Sequence, residues 1–362
     1  AIESIMEAII FHERFSDFKQ IEKQLIESNI LLDPYAIESD AAYKLENYLL
    51  NSEQQVSCLL DRNIVSYLID LVKGAELLPD AERSRCHRLS AALQAFLNAA
   101  NIKSEPGLSY HEYIESSSIE HADKELSYFR SADNLDANLY LDIALGHINS
   151  IPLESVPKFD SGELLGFDPK YRIKAFEFNI VVIKKGLSIR SQCNSDYEAM
   201  KLLLEWIFEE YVFCVPAFYF MAIYFSGHRV PKMLKSQSMK SVRNAAWDLA
   251  LLQHWITLSN RDSEQVWLLA SMDKAIAKTA NLMLLRSTET DDDYLNRLEQ
   301  SFASMWGKKF GNGRGLLKRF LYWRENIDNP MRKANQPENR TYEYMLAIRA
   351  SVDEEYAKIN IA

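Results

Sequence analysis

The stretch VSCLLDRNIVSYL, residues 56–68, decides how the chain reads. Val56 to Leu60 is a short apolar run that stops at Asp61, and its length and polar stop predict a buried strand. From Asn63 the pattern changes to a helical period, with Ile64, Tyr67, Leu68 and Leu71 on one stripe and Gly74 beyond its end. A strand handing over to a helix within two residues opens an α/β unit. The same texture returns late in the chain. Val266-Trp267-Leu268-Leu269-Ala270 reads as a second strand, with Asp273 just past its end. If both strands lie parallel in one sheet, both aspartates stand at the edge where open α/β folds bind ligands.

Elsewhere the sequence predicts helix. Phe18, Ile21, Leu25 and Ile26 follow a helical step, as do Ala42, Leu45, Tyr48 and Leu49, and then Leu89, Ala92, Leu93, Phe96 and Leu97. Residues 101–104 read as a short strand, and Pro106 as the start of a helix through Tyr110, Tyr113 and Ile114. Ile173, Phe176, Ile180, Ile183 and Leu187 predict a further helix, and Val242, Ala245, Ala246, Leu249 and Leu252 another. The uncharged run YVFCVPAFYFMAIYF, residues 211–225, is short of the roughly 20 apolar residues of a membrane span and follows Glu205, Glu209 and Glu210. It is expected to be a buried helix kinked at Pro216, with no membrane span. A membrane-associated scaffold using 205–227 is the least favoured reading.

Composition narrows the function. The 362 residues carry 51 acidic against 41 basic side chains, a net charge of −10, which argues against a wholesale nucleic-acid coat but leaves room for a local basic surface. The four cysteines form no CxxC and fit reduced thiols, and no secretory leader pattern opens the chain, so a cytoplasmic protein is expected. There is no phosphate-binding GxxxxGK[ST], no GxSxG and no HExxH.

Two more acids join the strand-end aspartates. Glu112 lies in IKSEPGLSYHEY (102–113), with Glu105 and Glu115 close by as alternatives, and Asp248 lies in the apolar helix WDLALL (247–252). Clustered carboxylates repel one another, and a divalent cation neutralises them; oxygen-only donors select Mg²⁺ or Mn²⁺. The segments around these acids carry a resemblance. LLDRNIVSYL resembles the first motif of the PIN-domain nucleases, IKSEPGLSYHEY their second, WDLALL their third and WLLASMDKAI (267–276) their fourth, in the family order Asp, Glu, Asp, Asp. The resemblance covers roughly 55–115 and 240–285. It departs from the family at Arg62, where a small residue is usual, and in the long separation of Glu112 from Asp248.

The resemblance implies a PIN-like three-layer α/β core with a short parallel sheet over 55–117 and 240–285. A helical subdomain is inserted at 118–239, and helical extensions lie at 1–54 and 286–362. It implies Asp61, Glu112, Asp248 and Asp273 as ligands of one or two Mg²⁺ or Mn²⁺ ions, with Asn63 and Ser271 orienting them. The activity implied is endoribonuclease cleavage leaving a 5′-phosphate and a 3′-hydroxyl. RNA, single strands included, is the implied substrate, and the family also suggests a toxin or phage-defence role with an antitoxin or regulatory partner. For contact with RNA, residues 307–333 hold Lys308, Lys309, Arg314, Lys318, Arg319, Arg324, Arg332 and Lys333 against Glu325 and Asp328, interleaved with Trp306, Phe310, Phe320, Tyr322 and Trp323. GKKFGNGRG (307–315) offers glycine-exposed amides for phosphate. A second basic stretch, His228 to Arg243, runs into the Asp248 helix. The competing reading is a non-enzymatic helical scaffold in which the acids cap helices.

Overall fold

The structure, a computed structural model, describes residues 13–34, 48, 55–79, 81–165, 173–212, 214–227, 230, 233–234, 237–261, 265–285, 289–307, 311–328, 330 and 342–359. It is helix-dominated, with a small mixed four-stranded sheet. The chain divides into two compact units, one of residues 1–171 with 255–273, the other of 172–254 with 274–362. The helix expected over Ala42 to Leu49, and the basic residues His228, Arg229, Lys232, Lys235, Lys308, Lys309, Arg332 and Lys333, lie outside the described residues except for Tyr48.

The first unit begins with helix α1 (Phe15–Ser28), whose Phe18, Ile21 and Leu25 face the core. It stops at Asn29, which takes the left-handed conformation (φ +52°) that asparagine tolerates, and returns its N–H to the Ile26 carbonyl. That turn delivers Leu31 and Leu32 as strand β1. Then come β2 (Gln55–Leu60), α2 (Arg62–Val72), α3 (Glu82–Ala99), β3 (Lys103–Glu105), α4 (Gly107–Ser116), α5 (Ile119–Asp133) and α6 (Ala137–Leu145). In the second unit α7 (Lys174–Gln192), α8 (Asp196–Glu209) and α9 (Val215–Phe225) follow. Helix α10 (Met239–Arg261) carries the chain into β4 (Gln265–Ala270).

The strand order is β1-β4-β2-β3. β4, β2 and β3 are parallel, but β1 runs antiparallel to β4, so the sheet is mixed rather than purely parallel. Cys58, Leu59 and Leu60 are all buried, so side chains on both faces of β2 are covered, and a strand covered twice reads as an unbroken apolar run. Burial of each such leucine is worth about 1.5–3 kcal/mol. The register pairs Leu60 with Ala270, which brings the carboxyl ends of β2 and β4 side by side. One more bond locks the ends, from the Asp61 N–H to the Ala270 carbonyl at 3.0 Å.

The expected boundaries move: of the core segment expected at 240–285, only 255–273 belongs to the first unit. Residues 119–145 belong to the first unit, with α5 packed on α2 and α6 on α3, and not to an inserted subdomain starting at 118. The N-terminal segment likewise supplies α1 and β1 to this unit and is no mere extension.

The second unit is completed by α11 (Lys274–Met283), α12 (Asp291–Trp306), α13 (Asn312–Glu325) and α14 (Tyr342–Ile359). α9 is buried along its whole length, but Pro216 lies in its first turn, where no N–H is needed, so the proline starts the helix and does not kink it. No described helix is long and apolar enough to cross a membrane. α14 docks on α7 through Lys184, which donates to Asp353 at 2.5 Å, and Lys185, which pairs with Glu355 at 2.8 Å.

Candidate carboxylate site

Asp61 ends β2 and caps α2. Its carboxylate accepts from the backbone N–H and the side-chain amide of Asn63, both at 3.5 Å, and from the Ser271 hydroxyl at 2.9 Å. Ser271 stands just past β4, where its own N–H is fixed by the Ile30 carbonyl at 2.9 Å. The Ser271 oxygen also accepts from the Asp273 N–H at 3.0 Å, so one hydroxyl ties the ends of two neighbouring strands together. Asn63 and Ser271 therefore both bond the Asp61 carboxylate.

Asp61 is only 3% exposed. Burial pushes its carboxyl up in pKa, and the charge of Asp273 pushes the same way against the relief given by Ser271 and Asn63. Every hydrogen bond that Asp61 receives here comes from a neutral donor.

Glu112 joins this pair through α4. The Ser109 hydroxyl donates to the Leu60 carbonyl at 2.6 Å, in a buried bond that fixes the helix over the end of β2. Glu112 lies three residues further on, on the same helical face. Its carboxyl is pushed up to about 8, first by burial and then by the charge of Asp61, with Arg62 opposing. The neighbouring glutamates behave otherwise: Glu105 accepts from the Gly107 N–H at 3.0 Å and Glu115 is exposed.

Asp248 is half-buried on α10 and belongs to the second unit, whereas Asp61, Glu112 and Asp273 belong to the first. Among the described residues, no group of three or more His, Cys, Asp or Glu side chains is arranged to hold a metal ion. The donor chemistry suits a hard cation: the carboxylates present only oxygen, and their mutual repulsion is what such an ion relieves.

Arg62, where the sequence departs from the family motif, is engaged on several sides. Its guanidinium pairs with Glu125 at 2.5 Å and lies over the Tyr113 ring at 4.1 Å, while its Nη1 is buried with no hydrogen-bond partner. A basic residue directly after the strand-end aspartate was the available signal.

The basic segment looks different from its sequence. Phe320 is 1% exposed and stacks on Phe218 at 4.3 Å, so it is core and not a platform for bases. Arg319 is held by Glu205 at 2.5 and 2.9 Å, Trp323 donates to the same carboxylate at 3.1 Å, and Arg314 pairs with Glu299 at 2.7 Å. Lys318 is exposed, and Arg243 lies 5.8 Å from the Phe176 ring centre. Gly313 of GNGRG serves packing: a Cβ there would stand 2.1 Å from the Phe302 carbonyl oxygen, so α12 and α13 touch through it. The phosphate cradle read from this segment is thus corrected at Gly313.

Neither a family model, nor a curated protein, nor a solved structure matches this chain.

Proposed function

We propose that the chain is a PIN-like, metal-dependent endoribonuclease, with Asp61, Glu112 and Asp273 as its carboxylate donors. One observation carries the reading: a carboxylate at the end of a central parallel strand, almost fully buried, beside a second strand-end carboxylate, and hydrogen-bonded only by neutral groups. Such an arrangement costs stability in the free protein, and costs of that kind are characteristic of sites awaiting a ligand. When bound, Mg²⁺ or Mn²⁺ would supply Lewis-acid polarisation of a phosphoryl oxygen and a more acidic water. The chain's own residues prepare for it. Ser271 and Asn63 fix the Asp61 carboxylate, and Ser109 holds Glu112 toward it. RNA as substrate, an antitoxin or regulatory partner and a cytoplasmic setting belong to the same proposal, as do Lys308, Lys309, Arg314, Lys318, Arg319 and Arg243 as RNA contacts.

A second reading rests on the cap bond from the Asn63 N–H to Asp61, which a scaffold protein would keep for stability alone. Asp61→Asn separates the two, because Asn caps a helix as well as Asp but carries no charge. The nuclease reading expects Mn²⁺-dependent RNA cleavage by the parent protein and its loss, by a hundredfold or more, in Asp61→Asn with the fold intact. Equal cleavage by both, or none by the parent, overturns it.

A further inference from the structure

In the second unit, α14 is attached differently from its neighbours. Among its described side chains only Val352 and Tyr356 are buried, whereas α7, on which it docks, buries ten and α9 is buried along its length. Much of the attachment is polar. Lys184 donates to Asp353, and Lys185 to both oxygens of Glu355 at 2.9 and 2.8 Å. Arg349 pairs with Glu177 at 3.2 Å, and the Tyr344 and Tyr356 hydroxyls donate to the Glu210 and Gln237 carbonyls. A helix with so few buried apolar contacts belongs to the low-stability end of its unit.

Lys184 is the pivot of that attachment. It is only 4% exposed, and among the described residues both partners of its ammonium lie on α14: the Asp353 carboxylate at 2.5 Å and the Tyr356 ring at 5.9 Å. A buried ammonium is tolerated while it is paired, and becomes strongly destabilising once the partner is lost. Lys184 therefore holds α14 for as long as Asp353 faces it. Without that carboxylate, lifting α14 returns the ammonium to water with the least disruption of the core. Asp353 and Glu355 are themselves partly exposed, so ions in solution reach both pairs and weaken them. An apolar residue in place of Lys184 would be a fixed contact; the lysine is a latch.

We propose that α14 is a releasable strap, latched on α7 by the Lys184–Asp353 and Lys185–Glu355 pairs. It opens while the rest of the second unit stays folded, and opening brings both lysines to solvent. Lys185 keeps the Trp206 ring of α8, 5.4 Å away, when α14 leaves, so Lys184 is the residue whose surroundings change most. The strap stands on the second unit alone and does not depend on the carboxylate site.

The test is hydrogen exchange of the full chain, read by mass spectrometry at about 0.05 M and about 1 M KCl, with lysine acylation as a second probe. In the parent, amides of α14 should exchange several-fold faster at the higher salt while those of α7 and α9 do not, and Lys184 should become open to acylation. Asp353→Asn should open α14 at low salt as well, by about tenfold or more. Adding Lys184→Met to that variant should close the strap again, because no ammonium is left unpaired; a general loss of packing would not be rescued this way. Three results would each overturn the proposal. One is α14 and α7 exchanging together at every salt. The others are Asp353→Asn exchanging as the parent does, and Lys184→Met failing to restore protection.

Discussion

Replacing Glu112 by glutamine should make the protein more stable, by an amount that depends on pH in a defined way. The Glu112 carboxyl sits at about 8 in the folded chain against 4.5 for an ordinary glutamate. Between those values the unfolded chain gives up a proton that the folded chain keeps, so the stability of the parent falls as pH rises from 4.5 toward 8 and levels off above. Each tenfold in proton affinity is about 1.4 kcal/mol. The stability lost to this difference in proton affinity is therefore about 3 kcal/mol at pH 7, and at most about 5 above pH 8. A glutamine at this position mimics the neutral acid and carries no such slope. Urea unfolding of parent and Glu112→Gln in chelator, at about pH 5, 7 and 8.5, reads the difference through the midpoints at constant m. The gap in favour of the variant should be small at the lowest pH and widen by a few kcal/mol at the highest. A gap that stays constant across that range would refute the burial of Glu112 beside Asp61.

Two further outcomes follow from named contacts. Ser271→Ala removes a buried bond to Asp61 and the acceptor of the Asp273 N–H, and should cost about 1–3 kcal/mol in urea unfolding. The loss should be smaller in acid, where a protonated Asp61 needs the bond less. Gly313→Ala places a methyl group against the Phe302 carbonyl and should lower the melting temperature, at a cost of about 1–3 kcal/mol or more from overpacking, while an exposed change such as Lys318→Ala leaves it unmoved.

The part of this architecture written locally was legible. An apolar run ended by aspartate is a short-range signal, and both β2 and β4 end within a residue of where their sequences stop. The helices with a sustained apolar stripe, such as those around Phe96 and Leu249, are equally local. What the sequence hides is long-range. Leu31-Leu32 is too short to announce a strand and becomes one only because β4 lies beside it. The facing of Glu112 depends on a bond from Ser109 to Leu60, 49 positions away in sequence. The aromatic residues near 320 read equally well as a stacking surface or as core, and contact with Phe218 decides for core at Phe320. Pro216 was misread for a simpler reason: a proline interrupts a helix or begins one, and the apolar residues before it disguised the start.

If the carboxylates of Asp61, Glu112 and Asp273 repel one another until a divalent cation joins them, that cation must stabilise the folded chain. Thermal unfolding with and without Mn²⁺ tests this most directly, since a ligand that binds the folded state stabilises it by RT ln(1 + [L]/Kd), about 2.7 kcal/mol at a hundredfold excess over Kd. The melting temperature of the parent should rise with Mn²⁺, and those of Asp61→Asn and Asp273→Asn should respond far less. A parent protein indifferent to Mn²⁺, or variants that respond as strongly as the parent, would contradict the claim.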